Sequence, residues 1–150
     1  MSMYKTFKTE ENLEENGIII DYGTFRVTLA RAGGANKKFG RLLEARTKPF
    51  KRLIQTDTMD QEIGAQIMRE VYAEAVVLNW EVRTEITSDG TEVYAQGLED
   101  PNDDTKIIPF TKENLVAAFK ALPDLFSDLQ EQATKAALFR EQLREEDAKN

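Results

Sequence analysis

The side chains that could carry out catalytic chemistry in this sequence are few. The chain has 150 residues and contains no histidine and no cysteine. Histidine is the usual general base near neutral pH, and a Ser-His-Asp triad cannot be built without it. The serines are Ser2, Ser88 and Ser127, and none lies in the G-x-S-x-G pattern of a nucleophile elbow. We therefore expect no catalytic residues and no enzymatic activity.

Two loops have some features of ligand sites, but each fails at specific positions. The run "GGANKKFGR" has Phe39 and Gly40 where a phosphate-binding loop requires glycine and lysine. The acidic stretch 102–113 has the length of a calcium loop. However, it puts Lys106 among the ligand positions and Ile107 where the sharp turn requires glycine. We therefore expect neither a metal nor a cofactor.

A basic segment is the most informative feature for function. Eight Lys and Arg residues lie between Arg31 and Arg52, opposed only by Glu44, so the segment carries +7 in a chain of −7. Three interpretations remain open: a solvated face that pairs with acids of the same chain, a surface for an acidic protein partner, and an RNA site. RNA is the weakest, because aromatic side chains for base stacking are missing and the net charge repels phosphate.

A second candidate surface is apolar and lies further along the chain. Leu125, Phe126 and Leu129 recur at helical spacing. Such a stripe usually packs in the core, but it can also form a groove or an oligomer surface. The residues that we assign to partner binding combine both candidates: Lys37, Lys38, Arg41, Arg46, Lys51, Arg52, Leu125, Phe126 and Leu129.

The elements around these residues predict an α+β fold that is predominantly α-helical. An N-terminal β-hairpin, a helical core and a second small hairpin precede two C-terminal helices. Glycine-containing turns at Gly23 and Gly90 are expected to close the two hairpins. We divide a single domain, 1–150, into a loose tail at 1–16, a hairpin at 17–34, helices at 35–80, a hairpin at 81–95, an acidic loop at 96–106 and a helical C-terminal part at 107–146.

Helix signals set the expected boundaries of the individual helices. Thr58 and Gln61 have the spacing of a capping box, which predicts the start of a helix that continues to Trp80. Thr111 is predicted to cap a later helix, and Pro123 to begin the next one. The central helix has apolar residues at every fourth position, which predicts a place in the core: Ile63, Ile67, Val71 and Ala75.

Targeting signals are missing from the sequence. No apolar run approaches the roughly 20 residues of a membrane span. The first residues, "MSMYKTFKTEENLEENG", lack the apolar stretch of a signal peptide. The absence of cysteine fits a reducing compartment. We therefore expect a cytosolic protein that does not associate with membranes.

Several segments together resemble the tail assembly chaperones of long-tailed bacteriophages. They are "MREVYAEAVVLNWE", the "SDG" turn, "IPFTKENLVAAFKALPDLFSDLQEQA" and "ALFREQLREEDAKN". The upstream run "ANKKFGRLLEARTKPFKRLI" is also similar, so the resemblance covers most of the chain after residue 17. The acidic stretch 96–105 departs from the family pattern by its greater length. These are packing and capping motifs rather than catalytic signatures.

The resemblance implies a non-enzymatic role in tail morphogenesis, in the host cell cytoplasm. Such proteins hold the tape measure protein soluble, help recruit major tail tube subunits and are absent from the mature virion. The implied partners are therefore the tape measure protein and the major tail tube protein, and self-association into a homo-oligomer stays open. The alternatives are a structural tail component that is retained in the virion and, more weakly, a basic-patch RNA-binding protein.

The last three residues raise a further expectation that depends on the gene. Members of the family that this chain resembles are often made in two lengths, because some ribosomes slip back one nucleotide near the end of the short frame. Ala148, Lys149 and Asn150 can be encoded by GCA AAA AAC. The last seven nucleotides, A AAA AAC, have the X XXY YYZ form of a slip site. An ordinary polar tail explains the same residues equally well, so only the codons of the gene distinguish a slip site from such a tail.

Overall fold

A computed structural model describes residues 2–140 and has a mixed α/β fold. Helices account for 51% of the described residues and strands for 24%, in two sheets. The prediction of a predominantly α-helical chain is therefore wrong. The strand content is higher because both predicted hairpins join into one sheet and because part of the predicted acidic loop is itself a hairpin.

The larger sheet is antiparallel and contains both predicted hairpins. Its strands lie in the order β1-β2-β3-β4. They are β1 (Ile18–Asp21), β2 (Phe25–Leu29), β3 (Val77–Ile86) and β4 (Glu92–Gln96). Both glycine-containing turns are confirmed, with Gly23 at φ 93° and Gly90 at φ 86°, a conformation that glycine adopts without steric cost. Val27 of β2 lies opposite Trp80 of β3, which places Trp80 in the sheet.

The central helix, α5 (Gln61–Ala75), is shorter than predicted at both ends. Asp60 caps it in place of Thr58, because the Asp60 carboxylate accepts a hydrogen bond of 2.8 Å from the Glu62 N–H. The predicted continuation to Trp80 is wrong. Two β-branched valines follow Ala75, and pairing of their segment with β2 turns it into a strand. A short apolar run of this kind does not distinguish helix from strand by its periodicity.

The predicted apolar stripe of α5 reaches the core only after the first turn. Ile67, Val71 and Ala75 are buried, whereas Ile63 is 38% exposed. Ile63 lies at the start of the helix, and the prediction that it belongs to the core is therefore corrected.

A second, two-stranded sheet occupies most of the predicted acidic loop 96–106 and extends to Ile108, so the predicted helical part does not begin at residue 107. Its strands are β5 (Leu98–Asp100) and β6 (Asp103–Ile108). Leu98 is buried and pairs with Ile108, which packs against the core. Glu99 and Asp104 are exposed and Asp100 and Asp103 are half-buried, so the charges that suggested a loop belong to a hairpin.

Two helices follow, and their N-terminal signals are confirmed. They are α6 (Lys112–Ala121) and α7 (Pro123–Thr134). The Thr111 hydroxyl accepts a hydrogen bond from the Asn114 N–H, and Pro123 occupies the first turn of α7. The predicted last helix continues to about residue 146, but α7 ends at Thr134 and a 3-10 turn follows at Ala136–Phe139. The rest of that prediction and the final "AKN" lie outside the described residues.

The segment expected to be a loose tail contains two short helices, α1 (Met3–Phe7) and α2 (Glu11–Asn16). Glu14 of α2 is buried, and its carboxylate contacts the Arg31 guanidinium at 2.5 Å. The Glu10 N–H donates a hydrogen bond of 2.7 Å to the Phe139 carbonyl. These links connect residues far apart in the chain, and local sequence patterns therefore did not indicate them.

The core lies between the larger sheet and helices α5, α6 and α7. Phe126 stacks on Phe119 at 4.7 Å between ring centroids and meets Tyr72 edge-on at 5.4 Å. Such aromatic pairs add to the stabilisation from buried area. Burial also raises the pKa of Tyr72 to about 12, so its phenol stays neutral at physiological pH.

Candidate protein-binding surface

The basic segment begins in α3 (Lys37–Thr47), and the start of this helix is attached to the core. Asn36 precedes the helix and is buried. Its side-chain amide donates hydrogen bonds of 2.8 Å to the carbonyls of Arg31 and Ala75. Because Ala75 ends α5, these bonds fix the first turn of α3 against the end of α5.

One face of α3 carries a row of exposed cations, Lys37, Lys38 and Arg41, which we call the basic row. None of the three forms an ion pair with another residue in the described range 2–140. Phe39 packs against Tyr72 on the other side of the helix, at 5.7 Å between ring centroids. The helix is therefore attached through an apolar face and presents its charges to solvent.

Arg46 lies on the same helix but faces the protein. Its guanidinium contacts Glu70 at 2.7 Å and Glu74 at 2.8 Å, and the hydrogen bond to Glu74 raises the pKa of Arg46. Arg46 lies roughly 140° around the helix from Arg41, at 3.6 residues per turn. Arg46 therefore connects α3 to α5, and its assignment to the partner surface stays a prediction.

Glu74 is the centre of this ion-pair network. Lys112 of α6 contacts the same carboxylate, so the network joins three helices. Burial would raise the pKa of Glu74, but the hydrogen bonds from Lys112 and Arg46 outweigh it and lower the pKa below its usual range. Glu74 therefore keeps its negative charge at neutral pH.

Pro49 interrupts the basic segment, as its sequence predicts. A 3-10 turn, Lys48–Phe50, is followed by α4 (Lys51–Gln55). All five side chains of α4 are exposed, including Leu53 at 41% and Ile54 at 44%. We call residues 48–55 the α4 arm, because a helix that is exposed on every side stands away from the core.

Local hydrogen bonds define the end of the α4 arm. The Thr58 N–H donates to the Leu53 carbonyl at 2.8 Å, and the Asp57 N–H donates to the Ile54 carbonyl at 3.1 Å. Asp57 has a left-handed backbone with φ 55°, a conformation that Asp tolerates better than most residues. The arm therefore takes its shape from its own backbone and not from packing on the core.

The apolar candidates of α7 lie in the core. Leu129 is 0% exposed, Phe126 is 9% exposed, and Leu125 is half-buried against the core cluster. The core alternative therefore describes these residues, and neither Phe126 nor Leu129 presents surface to a partner. This corrects their place among the partner-binding residues.

Sequence reasoning missed the exposed apolar side chains of Leu53 and Ile54, which follow the cations of α4 in the chain. The available signal was the proline at position 49 together with the polar run "QTDT" after Ile54. These features restrict α4 to little more than one turn, which is too short for an amphipathic helix to lie along a core.

The other features of the described residues 2–140 include an exposed apolar surface on α1, formed by Met3, Tyr4 and Phe7, and a cleft. No group of three or more acidic side chains in that range could hold a metal ion. No helix in the same range is long and apolar enough to cross a membrane. A cleft between α2 and residues 31–37 is lined by charges of both signs, but Glu14 and Arg31 at its centre neutralise each other.

Comparison with known proteins gives a family. The structure combines a mixed α/β fold with an exposed cationic surface. A family model described as YdaY prophage protein matches residues 34–150. The chain therefore belongs to the YdaY prophage protein family and is phage-derived. The match includes both α3 and the α4 arm. No curated protein and no solved structure matches the chain.

Proposed function

We propose that this protein is a non-enzymatic tail assembly chaperone that binds the tape measure protein and helps recruit tail tube subunits. Membership of a prophage family and the resemblance of its motifs to tail assembly chaperones support the proposal. The observation that carries it is the exposed surface of one segment, which combines the basic row on α3 with the exposed cations and aliphatic side chains of α4.

This surface suits a helical client. A tape measure protein is a long helical rod, and an amphipathic rod exposes an apolar stripe until the tube encloses it. Docking of such a helix uses apolar anchors for affinity and charged residues around them for orientation. The overall charge of −7 helps to keep the resulting complex dispersed in the host cytoplasm.

Co-expression with the tape measure protein of the same phage tests the proposal. We expect the tape measure protein to move from the insoluble to the soluble fraction and to purify together with this chain. An unrelated acidic protein of similar size is the control and should leave it insoluble. Tape measure protein that stays insoluble in both cases would exclude the chaperone function.

A structural tail component is the main alternative. Mass spectrometry of purified virions distinguishes the two, because a chaperone leaves the finished tail whereas a structural component stays in it. We expect only trace amounts of this chain. A stoichiometric copy number would favour the structural component.

A further inference from the structure

Helix α4, like α1, is exposed on every side, but α4 lies in the basic segment. Its two aliphatic side chains, Leu53 and Ile54, are adjacent and each more than two-fifths exposed, although they lie in a helix. Paired aliphatic groups of this kind are commonly covered when a partner binds. The arm therefore has the exposed apolar anchor of an interface.

Basic residues predominate around this anchor, although Asp57 follows it and donates its N–H to the Ile54 carbonyl at 3.1 Å. Lys48, Lys51 and Arg52 lie on the arm itself and are exposed, and the basic row continues the same charge along α3. Within 31–52, Glu44 is the only acidic residue. Complementary charge on an occupant must therefore be negative.

We propose that the α4 arm is a docking site for an acidic amphipathic helix of a partner protein. Leu53 and Ile54 contact the apolar stripe of that helix, while Lys51 and Arg52 pair with carboxylates along its edge. This inference deepens the proposed function and rests on it for the expectation of a helical client. RNA fits less well, because Phe50, the aromatic residue of the arm, is half-buried and α4 itself has no aromatic side chain for base stacking.

Binding to designed peptides tests the docking site without the tape measure protein. The probe is a fluorescent helical peptide with a leucine stripe bordered by glutamates. Its partner probe has lysine at every glutamate position, and a single-stranded RNA is the third probe. We expect wild-type protein to bind the glutamate peptide and to bind the lysine peptide and the RNA at least about tenfold more weakly.

Two variants of the arm separate its apolar and charged contributions. Leu53→Ser/Ile54→Ser should weaken binding of the glutamate peptide about tenfold or more, which is typical for the loss of apolar anchors. Lys51→Glu/Arg52→Glu should weaken it more at about 50 mM than at about 300 mM salt, because salt screens exposed charges. The matched control, Ile19→Ser/Ile86→Ser, removes two other exposed aliphatic side chains and should change affinity less than about twofold.

Several results would overturn the docking site. They are equal binding of the glutamate and lysine peptides, preferential binding of RNA, or equal loss of affinity in the control variant. Self-association of wild-type protein that the arm variants abolish would show that a second copy occupies the arm. If wild type solubilises the tape measure protein but does not bind the glutamate peptide, the docking site fails and the proposed function stands. If wild type binds the glutamate peptide but does not solubilise the tape measure protein, the proposed function fails and the docking site stands.

Discussion

The α4 arm and helix α7 contain similar apolar residues in opposite environments. Leu53 and Ile54 in α4 are about as exposed as many surface side chains, whereas Leu129 in α7 is completely buried. Helix α4 has 5 residues and α7 has 12, and a proline comes just before or at the start of each. Helix α7 packs on α6 and the sheet, whereas all five side chains of α4 are exposed among the described residues. The number of apolar residues in a helix therefore does not decide burial, and the available packing partner does.

Aspartate substitutions at these two leucines should give the largest contrast. Leu129→Asp places a carboxylate in the core without a partner, which costs several kcal/mol, and we expect the protein to lose its soluble fold. Leu53→Asp should change the free energy of unfolding by less than about 0.5 kcal/mol. Urea unfolding followed by circular dichroism measures both. Similar losses in the two variants would mean that the arm is packed.

The same contrast exists between two arginines of α3. Arg46→Ala should destabilise the protein by about 1–3 kcal/mol, because it leaves the partly buried Glu70 and Glu74 without their shared donor. Arg41→Ala removes an exposed side chain and should cost less than about 0.5 kcal/mol. The midpoint of denaturant unfolding reports both effects. An unchanged midpoint for Arg46→Ala would contradict the ion-pair network.

The network also predicts how stability depends on pH. The pKa of Glu74 is lowered below its ordinary value of 4.5 in the folded protein, so its contribution is fully present above pH 4.5. That contribution is lost as the pH falls through the lowered pKa. The difference in Tm between wild type and Glu74→Gln should therefore be constant near neutral pH and shrink below about pH 4.5. A difference that grows on acidification would contradict the assigned direction of the pKa.

Charge reversal in the basic row should have the smallest effect on the fold. Lys37→Glu/Lys38→Glu changes exposed residues, and the free energy of unfolding should move by less than about 0.5 kcal/mol. Binding of the tape measure protein should nevertheless weaken, and more at low than at high salt, because screening reduces the contribution of exposed charges. Pull-downs at two salt concentrations measure this. Equal binding by variant and wild type at both salts would favour a merely solvated face.

Features set by neighbouring residues could be predicted from the sequence. The turns at Gly23 and Gly90 and the helix starts at Thr111 and Pro123 depend on backbone and capping chemistry within a few residues. The break at Pro49 follows from the proline ring for the same reason. The basic row is exposed, as its charge density suggests.

The sequence by itself determined the turns, the caps and the concentration of positive charge, because these depend on short-range geometry and composition. Only the tertiary structure decided that Val77 to Trp80 form a strand, since strand pairing with β2 competes with an equally apolar helix. It also decided that Arg46 faces Glu74 while Arg41 faces solvent, and that Leu129 is buried while Leu53 is not. Burial and pairing depend on which surfaces meet across the fold, and residues far apart in the sequence supply those surfaces.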